Sequence, residues 1–152
     1  MKRPLSILLL GRTGFIGKNL LEYLSSFGAF SIDAPYHDEL DVIDERSVCA
    51  KLASKDYDVV LNCLDLRSMT PKYLEDRLRM YMNLANHADK YGKMIYFGTG
   101  AEYGRQIPVD QVSERDFSRV VPDDTYGLLM YTQALNALMS KNIYNLRLFG
   151  IF

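Results

Sequence analysis

Tryptophan is absent from this 152-residue chain, and histidine and cysteine occur only twice each. The cysteines, Cys49 and Cys63, stand far apart with no metal-like spacing, which argues against a zinc site and against a disulfide scaffold. They fit a reduced, cytoplasmic setting. A net charge of -1 leaves no basic footprint for nucleic acid or for an anionic membrane surface. No apolar run approaches the ~18 residues needed to span a bilayer. The apolar run Leu5–Leu10 lies close to the N-terminus, but it ends in a glycine-rich turn without a small-residue cleavage site. It reads as a buried first strand rather than a signal peptide. Internal repeats and low-complexity segments are also missing.

What remains is an ordinary globular composition, 48% apolar and 24% charged, in a length that makes one domain. Short apolar runs predict strands at Leu5–Leu10, 29–32, 58–63, 93–98 and 143–149. Helical spacing predicts helices from 14 to about 27, over 44–55 with Asp44 as N-cap, from Thr70-Pro71 to Tyr91-Gly92, and from 126 to about 140. In the third helix Leu74, Leu78, Met82, Ala85 and Ala88 form the expected inner face. Strands that are continuous apolar runs, alternating with helices, predict an α/β fold: a Rossmann-like, doubly wound parallel sheet with helices on both faces. The polar connection over 106–124 is long for such a domain and is expected to border a site. The final stretch, Leu146-Arg147-Leu148-Phe149-Gly150-Ile151-Phe152, reads as a core strand running straight to the terminus, which leads us to expect a missing C-terminal half.

The first strand runs into Gly11-Arg12-Thr13-Gly14-Phe15-Ile16-Gly17, and an amphipathic helix follows. In that context Gly-x-x-Gly-x-x-Gly predicts a dinucleotide site. Gly11 turns the chain, Gly14 admits the pyrophosphate, and Gly17 lets the helix pack closely on the sheet. Asp33 is the nearest match to the acid that holds the adenosine ribose, and an acid there favours NAD. Arg12 or His37 would instead favour NADP. The balance leans slightly to NAD.

Two further stretches complete a resemblance. Gly98-Thr99-Gly100-Ala101-Glu102-Tyr103-Gly104 is a hydroxyl-bearing strand end, and Tyr126-Gly127-Leu128-Leu129-Met130 opens the last helix. With the glycine turn they resemble the extended short-chain dehydrogenase/reductase family, the epimerases, dehydratases and reductases of nucleotide-activated sugars. The short second strand feeding into Glu39-Leu40-Asp41 is most similar to the 4-keto-sugar reductases. The resemblance implies that 1–152 is the dinucleotide-binding domain, and that the C-terminal lobe for a nucleotide-sugar substrate is not part of this chain. It implies Tyr126 as the residue that exchanges a proton with the sugar oxygen, and Thr99 as a hydrogen-bonding partner of that oxygen. It implies Asp41 against the adenine amino group and Val42 against the ring, although the same segment also reads as a solvated acidic loop with an N-cap at Asp44. Cys63 and Leu64 fall where relatives line the cofactor with small residues, and Leu64 is bulkier than that pattern. Glu102 and Asp124 are further acids near these residues.

One position departs from the pattern. The family places a lysine four residues after its tyrosine, where it lowers the tyrosine pKa from its free value near ~10 and holds the nicotinamide ribose. This chain has Met130, which also reads as a core methionine. Three functions follow: a nucleotide-sugar oxidoreductase or epimerase, in which lysine at 130 would raise turnover; a non-catalytic NAD(P)-binding protein; or an interaction module. The resemblance also implies a homodimer through the helices at 71–91 and 126–140.

Overall fold

A strand whose residues are buried on both of its faces requires cover on both sides of the sheet, and β1 (Leu5–Leu10) has five buried residues in succession. In the computed structural model, which describes residues 3–65, 70–108 and 110–150, β1 is an interior strand of a parallel sheet with β2 (Phe30–Asp33), β3 (Tyr57–Asn62), β4 (Tyr91–Thr99) and β5 (Ile143–Leu148). The strand order is β2-β1-β3-β4-β5. The chain thus leaves β1 in one direction and returns past it in the other. That reversal opens a crevice beyond the carboxyl ends of β1 and β3.

The two sheet faces are covered unequally. α1 (Phe15–Ser26) lays Ile16, Leu20, Leu21 and Leu24 against Ile7, Leu9 and Leu61. α2 (Glu45–Ala53), α3 (Pro71–Ala85) and α4 (Thr125–Met139) cover the opposite face, where Val48, Leu52, Tyr81, Leu84 and Ala137 pack on Leu8, Leu10, Val60 and Met94. On the α1 side, Tyr144 and Leu146 of β5 lie in register with Ile95 and Phe97 and are about half exposed. Ile151 and Phe152, the end of the apolar C-terminal stretch, lie outside the described residues.

Several expected boundaries shift. α3 ends at Ala85, a 3-10 turn follows at Ala88–Lys90, and Tyr91-Gly92 begins β4 rather than closing the helix. The inner face of α3 is also rotated from the expected one: Met80, Tyr81 and Leu84 are buried, whereas Leu78, Met82, Ala85 and Ala88 are only partly so. The reason is that α3 packs on two bodies. Tyr81 and Leu84 meet the sheet, and Leu74 and Leu78 meet α4. The Tyr81 hydroxyl donates to the Gln133 carbonyl at 3.0 Å and approaches Asn136 Oδ1 at 2.9 Å, which ties α3 to α4. Asp44 caps α2 as expected, accepting from the Arg46 N–H. The 106–124 connection contains a 3-10 turn at Glu114–Asp116 and is pinned to β5 by an ion pair between Arg147 and Glu114.

Candidate functional site

The turn after β1 shows which glycines the protein itself requires. Gly11 has φ +85°, and a Cβ there would fall 2.6 Å from the Cys63 carbonyl oxygen. A Cβ on Gly17 would fall 2.1 Å from the Gly11 carbonyl oxygen, so the helix reaches the turn only without a side chain. Gly14 differs: its φ is an ordinary -75°, and a Cβ would stand 3.4 Å from its nearest neighbour. Protein packing gives little reason for glycine at 14. Gly14 is also the N-cap of α1, with no side-chain cap and no acid in the first turn, an arrangement suited to an anion.

A cavity of about 640 Å³ opens beside this turn. Gly11, Arg12 and Thr13 form one wall, and the segment Leu40, Asp41, Val42 and Ile43 forms another. Asn83, buried on α3, holds that segment by donating to the carbonyls of Val42 at 2.9 Å and Ile43 at 2.8 Å. Asp41 is exposed and accepts from the Ile43 N–H, and Val42 is buried beneath the cavity. Arg12 donates to the Ala34 carbonyl at 2.7 Å and stacks 4.0 Å over the Tyr36 ring. A guanidinium so held on the cavity wall is preorganised for a phosphate.

Asp33 is engaged elsewhere. Lys51 of α2 sits 2.9 Å from its carboxylate and the Tyr57 hydroxyl donates to it. Burial acts to raise the Asp33 pKa, but Tyr57 and Lys51 outweigh it and hold the carboxyl below its ordinary range. Asp33 is not among the residues lining the cavity. The lean to NAD, which rested on Asp33, therefore finds no support.

A second, smaller cavity of about 150 Å³ continues along the ends of β3, β4 and β5, lined by Ile16, Cys63, Phe97, Gly98, Arg77 and Tyr126. Leu64 and Asp65 belong to both cavities and stand at their junction. The bulky Leu64 is thus the residue between the two halves of the crevice. Cys63 is buried and its thiol is pushed up to about 12, so it serves as wall and not as nucleophile. Gly14, Phe15 and Gly17 shape the turn without lining either cavity.

Tyr126 reaches the second cavity because α4 starts hard against the turn after β4. A Cβ on Gly127 would meet the Ala101 carbonyl oxygen at 3.0 Å, and Asp124 caps the helix by accepting from the Gly127 N–H at 2.8 Å. Two arginines flank the Tyr126 ring, Arg77 at 5.9 Å and Arg105 at 5.5 Å from its centroid. Thr99 ends β4 and caps the 3-10 turn Gly100–Tyr103, its Oγ1 accepting from the Ala101 N–H at 3.4 Å. Thr99 does not line the small cavity. Glu102 is not a solvent-side acid. It is fully buried, accepts from Arg147 at 2.6 Å and Asn145 at 2.8 Å, and also receives the Thr99 N–H at 3.1 Å. Burial raises its pKa against the pull of Arg147. Met130 is 1% exposed and packs with Leu74 and Leu129, with Leu78 and Tyr126 alongside.

Arg77, Asp65, Tyr36 and Asn83 were not singled out from sequence. Arg77 had a readable signal, a charge three residues after Leu74 and four before Tyr81, hence on the inner side of α3. No helix among the described residues is long and apolar enough to cross a membrane.

Comparison with known proteins extends this geometry. No curated protein sequence matches the chain. Among solved structures, a GDP-D-glycero-L-gluco-heptose synthase from Campylobacter jejuni, crystallised with NADPH, aligns with TM-score 0.81 at 16% identity over 100% of this chain and 49% of that one. A GDP-mannoheptose C4 reductase from Campylobacter jejuni with NADP bound aligns with TM-score 0.81 at 16% identity over 100% and 53%. A dTDP-4-dehydrorhamnose reductase from Clostridium acetobutylicum aligns with TM-score 0.79 at 18% identity over 94% and 52%. Identities this low establish the fold, and this chain spans about half the length of each of these proteins. A family model matches residues 7–152, from within β1 to the last residue, and the chain accordingly belongs to the NAD dependent epimerase/dehydratase family.

Proposed function

We propose that this chain is the NADP-binding part of a nucleotide-sugar reductase or epimerase of the cytoplasm. The observation that carries the reading is the crevice itself: an uncapped α1 N-terminus behind a glycine that packing does not require, beside two adjoining cavities of which the second reaches Tyr126. The pyrophosphate lies against the Gly11–Gly17 turn, and Asp41 and Val42 border the adenine. Arg12 on Tyr36 receives a 2′-phosphate, while Asp33 is neutralised by Lys51 and Tyr57. The relatives crystallised with NADPH and NADP favour the same cofactor. Bound NADPH would supply a hydride for a sugar carbonyl. Tyr126 then moves the proton at the sugar oxygen, and the Thr99 hydroxyl donates to it.

Separate calorimetric titrations of NAD(H) and NADP(H) test the assignment. NADP should bind at least about tenfold more tightly, a difference of ~1.4 kcal/mol, and Arg12→Ala should erase that preference. Tighter binding of NAD overturns the phosphate assignment. Absence of binding by both overturns the site.

A second reading is favoured by Met130. Buried among Leu74 and Leu129, it offers no donor and no charge to Tyr126. A non-catalytic NADP-binding protein would bind cofactor without turnover and would be indifferent to Tyr126→Phe. Exposed Leu128, Leu135, Leu138 and Met139 on one side of α4 further suit a homodimer through that helix. A strictly monomeric species by light scattering rules the dimer out.

A further inference from the structure

The small cavity contains a cation that the adenosine end does not explain. Arg77 of α3 has a side chain only 11% exposed, and it lines both the cavity below Tyr126 and a narrow extension toward Asn62, Tyr96 and Gln133. One of its Nη groups is paired with Asp65, itself 72% exposed. Its Nε–H is buried and has no hydrogen-bond partner among the described residues. A desolvated guanidinium with a free donor is unfavourable unless an acceptor completes it, and Arg77 is among the residues that line the cavity. Met130, fully buried in its apolar cluster, provides no competing donor.

We propose that Arg77 is a binding residue for the nicotinamide-ribose half of the dinucleotide, its guanidinium donating to oxygen acceptors there. The inference rests on the cofactor reading above. It assigns the reacting end of the crevice its own anchor, drawn from α3 rather than from α4. Asp65 holds the guanidinium from the junction between the two cavities and keeps it at the wall.

The test compares a whole dinucleotide with its adenosine half by calorimetry: NADP against 2′,5′-ADP, and NAD against ADP in parallel. Arg77→Gln should weaken binding of the dinucleotide at least tenfold and leave the adenosine half within twofold. Arg77→Lys, which keeps the charge but not the fork of donors, should show a smaller loss and guards against a misfolded glutamine variant. Equal losses for dinucleotide and half-ligand, or no loss for either, overturn the assignment. If the unaltered chain binds the dinucleotide no better than its half, the anchor does not exist while the cofactor reading stands. Binding of neither ligand removes that reading and this inference with it.

Discussion

The two ends of the crevice are built on different principles. At the proposed adenosine end one wall comes from a single contiguous stretch, the end of β1 and the glycine turn, and it faces the Leu40–Ile43 segment across a cavity of about 640 Å³. The proposed reacting end is assembled from α3, the end of β4 and the start of α4, around about 150 Å³. Against Gly98, one of its lining residues, packs a buried ion network of Glu102 with Arg147 and Asn145. A nucleotide-binding turn can thus be complete within a few residues of sequence. Tyr126, by contrast, reaches the small cavity only because distant elements converge there.

Substitutions can break this contrast, beginning with its strongest element. Glu102→Ala removes one partner of a pair in which both side chains are almost fully buried. It should cost about 3–5 kcal/mol, read as a lower midpoint in denaturant, and a loss below ~1 kcal/mol would show that the network is not what supports the reacting end. Gly17→Ala forces a Cβ to 2.1 Å from the Gly11 carbonyl oxygen. It should destabilise by about 1–3 kcal/mol, with cofactor binding lost in proportion to folding.

Gly14→Ala sharpens the comparison, because its Cβ has room within the protein. Stability should stay within about 0.5 kcal/mol of the unaltered chain, while NADP affinity falls about tenfold or more. Loss of stability without loss of affinity would contradict a ligand-facing role for Gly14. The smallest effect concerns pH. Burial raises the Glu102 pKa above its ordinary value of 4.5, so between that value and the raised one the folded chain holds a proton that the unfolded chain has released. The corresponding stability is complete below pH 4.5 and declines as pH rises through the folded-state pKa. Denaturant unfolding from pH 4.5 to 7 should therefore show a shallower decline for Glu102→Gln than for the unaltered chain, and parallel slopes would contradict the raised pKa.

Much of the fold was legible because a strand covered on both faces must be apolar throughout, and because glycine and proline punctuate the chain where helices begin and end. β1, α1 and the turn between them match their expected places almost residue for residue. The inner face of α3 was not legible, since one helix packs against both the sheet and α4, and a single period cannot describe two contacts. The 3-10 turn Gly100–Tyr103 was likewise hidden, being held by the Thr99 and Glu102 side chains and not by any local repeat.

The sequence by itself therefore determined the parallel α/β architecture, the glycine turn between β1 and α1 and the order in which Thr99 and Tyr126 occur. These depend on contacts within a strand, a turn or one helical face, which spacing records. Only the tertiary structure decided that Asp33 is neutralised by Lys51 and Tyr57, that Met130 is sealed against Leu74, and that Arg77 enters the small cavity. Each of those outcomes depends on side chains far apart in sequence meeting in a desolvated space, where charge and burial, not spacing, set which partner is found.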